Sequence, residues 1–369
     1  MKIIDRGMVY DAAAAEGPPR VCSFTSLLQL SSGRLLTAFR RGSGKDSADG
    51  NVVICESDDE GASWSLISRG FETRFEGLTG EIRSAELAEL EDGRLLSVLG
   101  WIDRSGGGGT LRDAETDALP TMHMLLDYSS DGGRTWGGRR VLQRMATLSG
   151  PVVRLPGRGW LVTSEFSHAG TPDRERCHAA YAHFSADGVN FETSVNVVDE
   201  NPDIFYYDQR QRICPATGRP VAMFWTYDNR AAADIEMHMA WGDADALTWE
   251  TPRSMNMEGQ IAMPIPVDRD RLLAFYVHRH QPASLRLVVS RDEGRTWDTA
   301  NELVVYESDG PGEQGISAET TYDEFWEAMG TWSFGHPTAA VVADGSLLLV
   351  YYAGPDETCL SVHWARVQI

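Results

Sequence analysis

The chain has 369 residues, 54 of them acidic and 33 basic, for a formal net charge of −21. That balance argues against nucleic acid or an anionic membrane as a partner, because both demand a cationic face. Five scattered cysteines (Cys22, Cys55, Cys177, Cys214 and Cys359) with no CxxC spacing exclude a disulfide framework and a zinc site, so reduced thiols are expected.

In chain order, Met8-Val9-Tyr10 is an isolated strand-like run. A turn phrase followed by a short apolar run then recurs six times, at 31–39 (SSGRLLTAF), 91–99 (EDGRLLSVL), 156–163 (PGRGWLVT), 216–224 (ATGRPVAMF), 268–276 (DRDRLLAFY) and 343–351 (ADGSLLLVY). Apolar segments such as 24–30, 85–90, 152–155 and 338–342 precede these turns. Each copy therefore predicts a β-hairpin. A second phrase, Ser-x-Asp-x-Gly-x-Thr/Ser-Trp, follows at 57–64, 129–136 and 290–297, with eroded copies at 185–191 and 242–249. Its Asp is suited to bonding the turn's own amides, its Gly to a positive φ, and its Trp to packing beneath the loop.

Six hairpins, each extended by a second hairpin, predict an all-β fold: a six-bladed β-propeller of four-stranded antiparallel blades, spanning 1–369 as a single domain. The strand around Met8-Val9-Tyr10 would complete the final blade. A surface loop is expected over 104–118 and a long irregular stretch over 301–334.

In a propeller the inner strands enter at one end of the axis. Counting back from each hairpin turn places Ser23 and Phe24, Arg83 and Ser84, Ser149 and Pro151, Asp208 with Gln209 and Arg210, Gly259 and Gln260, and Gly335 and His336 at that end. Arginine's planar fork suits a sugar carboxylate, and histidine suits acid–base work near neutral pH. Asp208, Tyr207 and Arg210 lie together in FYYDQR; Glu86 follows Arg83 by three residues; Trp332 offers a stacking surface. Glu165, Glu319, Tyr322 and Glu327 are loop candidates, and His278 and His280 end a strand. Without an HExxH, an EF-hand or a Cys/His cluster no metal is expected, and no cofactor signature is present.

The second phrase resembles the Asp-box of the sialidase superfamily, and the sialidase-like propeller is the fold that this resemblance implies. The segment 38–64 is similar to the family's first blade, which implies Asp46 as acid/base, Asp49 as its fallback and Arg41 as the arginine preceding it. Two positions depart from the family: Ser23 stands where its entry arginine is, with Arg20 nearby, and His336 stands where its nucleophilic tyrosine is.

The expected function is a carbohydrate-active enzyme, an exo-glycoside hydrolase removing a terminal carboxylated sugar from a glycan. Asp46, His336 and Asp208 are the expected catalytic residues, with Arg41, Arg83, Glu86, Tyr207, Arg210, Gln260 and Trp332 binding substrate. A uronate lyase, a true exo-sialidase and a non-catalytic sugar-binding propeller are the alternatives. With no apolar run of the ~18 residues a membrane helix needs and no apolar signal segment behind Met1, the expected location is the cytoplasm.

Overall fold

The computed structural model describes residues 1–15, 17–107, 111, 118–166, 178–308 and 329–369. Glu319, Tyr322, Glu327, Cys177 and the glycines at 108 and 109 lie outside the described residues. The described chain is almost wholly β. The first antiparallel set comprises Val21–Gln29, Leu35–Gly42, Asn51–Ser57 and Ser65–Ser68, and the second Gly80–Glu89, Leu95–Asp103, Met122–Ser129 and Gly137–Arg144. In the third, two short strands, Ala146–Leu148 and Val153–Leu155, share Gly159–Phe166, followed by His178–Ser185 and Thr193–Asn201. The fourth is Ile204–Ile213, Pro220–Asp228, His238–Trp241 and Arg253–Ser254; the fifth is Ala262–Pro266, Leu272–His278, Ser284–Ser290 and Leu303–Glu307. Phe334–Val341, Leu347–Asp356 and Cys359–Gln368 form the sixth, which Lys2–Tyr10 completes at its outer edge. A single parallel bridge, Val21 to Leu360, joins the sixth set to the first.

Both faces of each set are covered. Along Leu35–Gly42, Leu35 and Phe39 pack towards the sixth set while Leu36 and Ala38 pack towards the second. Alternate strand residues face opposite ways, so a strand buried on both sides reads as an unbroken apolar run. The main apolar clusters lie between successive sets, and one fills the gap between the sixth and the first. Part of the stretch expected to be irregular, Leu303–Glu307, is a strand. Arg104, expected in a surface loop, is instead buried against Glu81.

Antiparallel pairing puts two kinds of loop at opposite ends. The Ser-Asp-Gly-Trp turns leave the third strand of a set, at the end where inner strands finish. The loops between second and third strands lie at the end where inner strands begin. In the turn at 57–64, Asp59 accepts from Ser57 Oγ at 2.8 Å, Ser63 N at 2.8 Å and Ser63 Oγ at 2.6 Å, while Trp64 Nε1 donates to Gly61 O at 2.9 Å. Gly61 holds φ at 93°, where a Cβ is disfavoured. Asp131 and Asp292 repeat these carboxylate bonds.

The Ser63 hydroxyl is the largest of several donors that pull the Asp59 carboxyl down to about 2. Because the folded value is depressed, this stabilisation is complete above the ordinary carboxylate value near 4 and fades as pH falls towards 2. Asp59→Ala removes three bonds and is expected to cost about 1–2 kcal/mol at pH 7. Urea unfolding checks this, with the difference from wild type shrinking below pH 4; an effect no larger than that of Asp58→Ala refutes it.

Candidate active site

The inner strands are bent where they begin. Their pairing with the second strands breaks register between Ser23 and Ser26, between Tyr207 and Arg210, and between Gly335 and Thr338. Within these bulges Phe24, Asp208 and His336 hold positive φ values of 52°, 48° and 53°. Such a conformation costs a non-glycine residue about 1–3 kcal/mol and persists only where surrounding contacts impose it. A further break, between Ile82 and Ser84, falls beside Arg83. The bulges re-aim side chains into a cavity of about 130 Å³, reached by Phe24, Arg83, Glu86, Glu165, Asp208, Arg210 and His336. Ser84, Ser149 and Tyr207 line it as well.

Arg210 is buried at the cavity wall and touches three sets. It donates to Glu86 Oε1 at 3.2 Å, lies 3.5 Å from Asp208 Oδ1, and donates to His336 Nε2 at 2.5 Å. The imidazole accepts through Nε2, so its proton sits on Nδ1, which donates to Thr25 O at 3.2 Å. Thr25 Oγ1 returns a bond to His336 O at 2.5 Å. Burial first and the Arg210 charge second hold His336 well below its ordinary pKa. The expected acid/base histidine is thus a neutral ring that orients Arg210.

Arg83 spans the opposite pairings. Its guanidinium stacks over Phe24 at 4.5 Å and donates to Asp46 Oδ1 at 2.7 Å. Burial works against ionisation of Asp46, but the Arg83 charge outweighs it and holds the carboxyl below its ordinary value. Asp46 is consequently an ionised anchor for Arg83. The loop carrying it is pinned by Arg40, which is fully buried and donates to Glu81, Gly44 O and Ser47 O. A Cβ on Gly50 would lie 2.2 Å from an Arg40 nitrogen, so glycine is required there by close approach. Asp49, the fallback for Asp46, is exposed and caps Ser43.

Several expected binders lie elsewhere. Arg41 points away from the cavity, stacks over Tyr10 at 5.2 Å and donates to Pro19 O. Gln260 is buried between Asp234 and Arg279, at 3.2 Å from each. Trp332 carries the Arg279 guanidinium on its face at 4.1 Å, so that face is occupied. Arg20 is exposed, and Ser23 is buried opposite Arg40. His278 and His280 meet edge to face, 5.8 Å apart, while Arg279 between them turns inward.

Residues that the sequence did not single out complete the site. Trp225 lines the cavity and its Nε1 donates to Asp234 at 2.5 Å. Glu165, unranked among the loop candidates, stands on the second strand of its set and accepts from Ser149 Oγ at 2.9 Å. The cavity's carboxyls are chemically unequal. Burial, reinforced by Glu165 and opposed by Arg210, pushes Asp208 up to about 6, and burial pushes Glu86 up to about 7. Each therefore exchanges a proton near neutral pH, as a general acid must.

The chain matches no family model and, in sequence, no curated protein. It is similar in structure to a Dyadobacter fermentans protein of unknown function (TM-score 0.73, 16% identity, covering 100% of this chain and 99% of that one). It is also similar to the Penicillium chrysogenum α-L-arabinanase solved with arabinobiose, at TM-score 0.62 and 13% identity over 100% and 99% of the two chains. The Ruminococcus gnavus intramolecular trans-sialidase matches at TM-score 0.62 and 12% identity over 100% and 98%. The fold is that of sialidases and arabinanases. No helix among the described residues is long and apolar enough to cross a membrane.

The His336 assignment is open to direct measurement. A ¹⁵N spectrum of the imidazole at pH 6.5 is expected to show a neutral ring protonated on Nδ1; a protonated ring, or one titrating at the ordinary value, overturns it.

Proposed function

We propose that the six sets close as a six-bladed, Asp-box-bearing propeller in one domain, and that the chain is a glycoside hydrolase cleaving a terminal sugar from a glycan. The observation that carries this reading is the convergence of Asp208, Glu86 and Glu165 on one cavity with two of the three carboxyls held near neutrality. Asp208 is the general acid: it sits on a fixed bulge, keeps 31% of its side chain open, and is protonated below about pH 6. Glu165, hydrogen-bonded by Ser149, supplies the second carboxylate that glycoside cleavage requires. Glu86 and His336 orient Arg210, and Asp46 orients Arg83. The likeness to glycosidases of the same fold supports the reaction class.

The charge pattern favours an uncharged sugar over the carboxylated one expected from sequence. Arg83 and Arg210 face the cavity, but Asp46, Glu86 and Asp208 already neutralise them. A substrate carboxylate would have to displace one of these partners, and it would meet Glu165 as well.

A glycan-library screen with product analysis by mass tests the reading. Hydrolysis is expected, giving a free terminal sugar without the ultraviolet-absorbing double bond of elimination. Activity is expected to fall as pH rises through about 6, the Asp208 value, because the acid loses its proton. Asp208→Asn is expected to lower kcat by about 10²–10⁴-fold and to abolish that limb of the profile. An unsaturated product, or full turnover by Asp208→Asn, refutes the assignment.

A further inference from the structure

The cavity has two apolar walls of different kinds. One is aromatic: Tyr207 and Trp225 of the fourth set, their rings 5.1 Å apart, pack in one cluster with Phe205 and Tyr227. Flat rings of this sort suit the C–H face of a pyranose. The second wall is aliphatic and belongs to the second and third sets: Leu119, Met122 and Leu148, each 5–7% exposed and each facing the cavity. Leu119 and Met122 pack with Ile102, whereas Leu148 belongs to the core between the two sets. Thr147 links the two parts, its Oγ1 lying 3.5 Å from Met122 Sδ.

With the aromatic wall available for the ring face, the aliphatic wall requires something else to cover it. The hydroxyls on its own segment are already engaged, Thr147 with the Met122 sulfur and Ser149 with Glu165. A hydroxymethyl, amide or carboxylate turned towards this wall would bury a polar group without a partner from it, at a cost of about 1–3 kcal/mol or more. A methyl group carries no such penalty and gains from leaving water.

We propose that the terminal sugar is a 6-deoxyhexose whose C5 methyl seats on Leu119, Met122 and Leu148. The inference rests on the glycosidase reading for its placement in a substrate pocket, and it concerns binding alone. The hydroxyls of the same sugar turn towards Asp208, Arg210 and Arg83, where donors and acceptors are concentrated.

The test is calorimetric binding of methyl glycosides in matched series that differ only at C5: fucosides against galactosides and galacturonides, and rhamnosides against mannosides. In at least one series the 6-deoxy member is expected to bind about tenfold or more tightly than its 6-hydroxy counterpart, the discrimination a buried methyl socket provides. Leu148→Asn and, separately, Met122→Gln are expected to reduce that ratio to about twofold or less, with folding checked by thermal melting. A hydroxylated or acidic member binding as well in every series overturns the proposal. So does an N-acetylhexosaminide that outbinds the whole panel, which would mark the wall as an acyl pocket, and so does the absence of any binding. Preferred binding of the deoxy sugar without cleavage of its aryl or oligosaccharide glycosides would leave the pocket assignment standing and sink the hydrolase reading instead.

Discussion

One guanidinium holds the centre of this protein together. Arg210 is 2% exposed, and a charge so placed must be compensated on every side or it destabilises the fold by several kcal/mol. Its partners come from three sets: Glu86 from the second, Asp208 from its own, and His336 from the sixth. The strained backbones of Asp208 and His336 are tolerable because these contacts fix them. Fold and site are therefore not separable here. The bulges aim the working groups inward, and the pairing of those groups pins the bulges.

A second charged knot has a different task. Glu81 is fully buried, 2.7 Å from Arg40 and 2.6 Å from Arg104, with Arg83 at 4.0 Å. Three guanidinia around one carboxylate leave surplus positive charge, and Asp46 takes part of it through Arg83. This accounts for the division of labour among the carboxyls. Asp46, facing cations, is held ionised; Asp208 and Glu86, in drier surroundings, are held near the point of protonation. Two carboxyls of one chemical type thus acquire different roles from the charges and solvent around them.

The repeats made the strand order and the inner-strand entries legible, because turn chemistry punctuates the sequence wherever two strands meet. Counting back from those turns reached Phe24, Arg83, Ser149, Asp208, Arg210 and His336, all of which line the cavity. The second strands gave no such guide. Being buried on both faces, they show no alternation, so nothing in AFRR distinguished the inward Arg40 from the outward Arg41. Arg279 and Asp234 were missed for a related reason: each follows a second strand, in the loops at the cavity end, where no repeated phrase marks the phase. Nor do the bulges announce themselves, since Phe, Asp and His occupy positive-φ positions where a glycine would have been conspicuous.

The third set shows how such a frame acquires a particular binding surface. Its inner strand is broken into Ala146–Leu148 and Val153–Leu155, both paired to Gly159–Phe166. An unbroken strand with the usual bulge would deliver one re-aimed side chain at this point. The interrupted strand instead brings Thr147, Leu148 and Ser149 in succession to the cavity, beside Leu119 and Met122 from the second set. The same break places Ser149 against Glu165 on the neighbouring strand. One local departure from the repeat therefore supplies both the aliphatic wall and the donor that orients a carboxylate, while the Asp-bearing turns, at the other end of the strands, are free to maintain the scaffold.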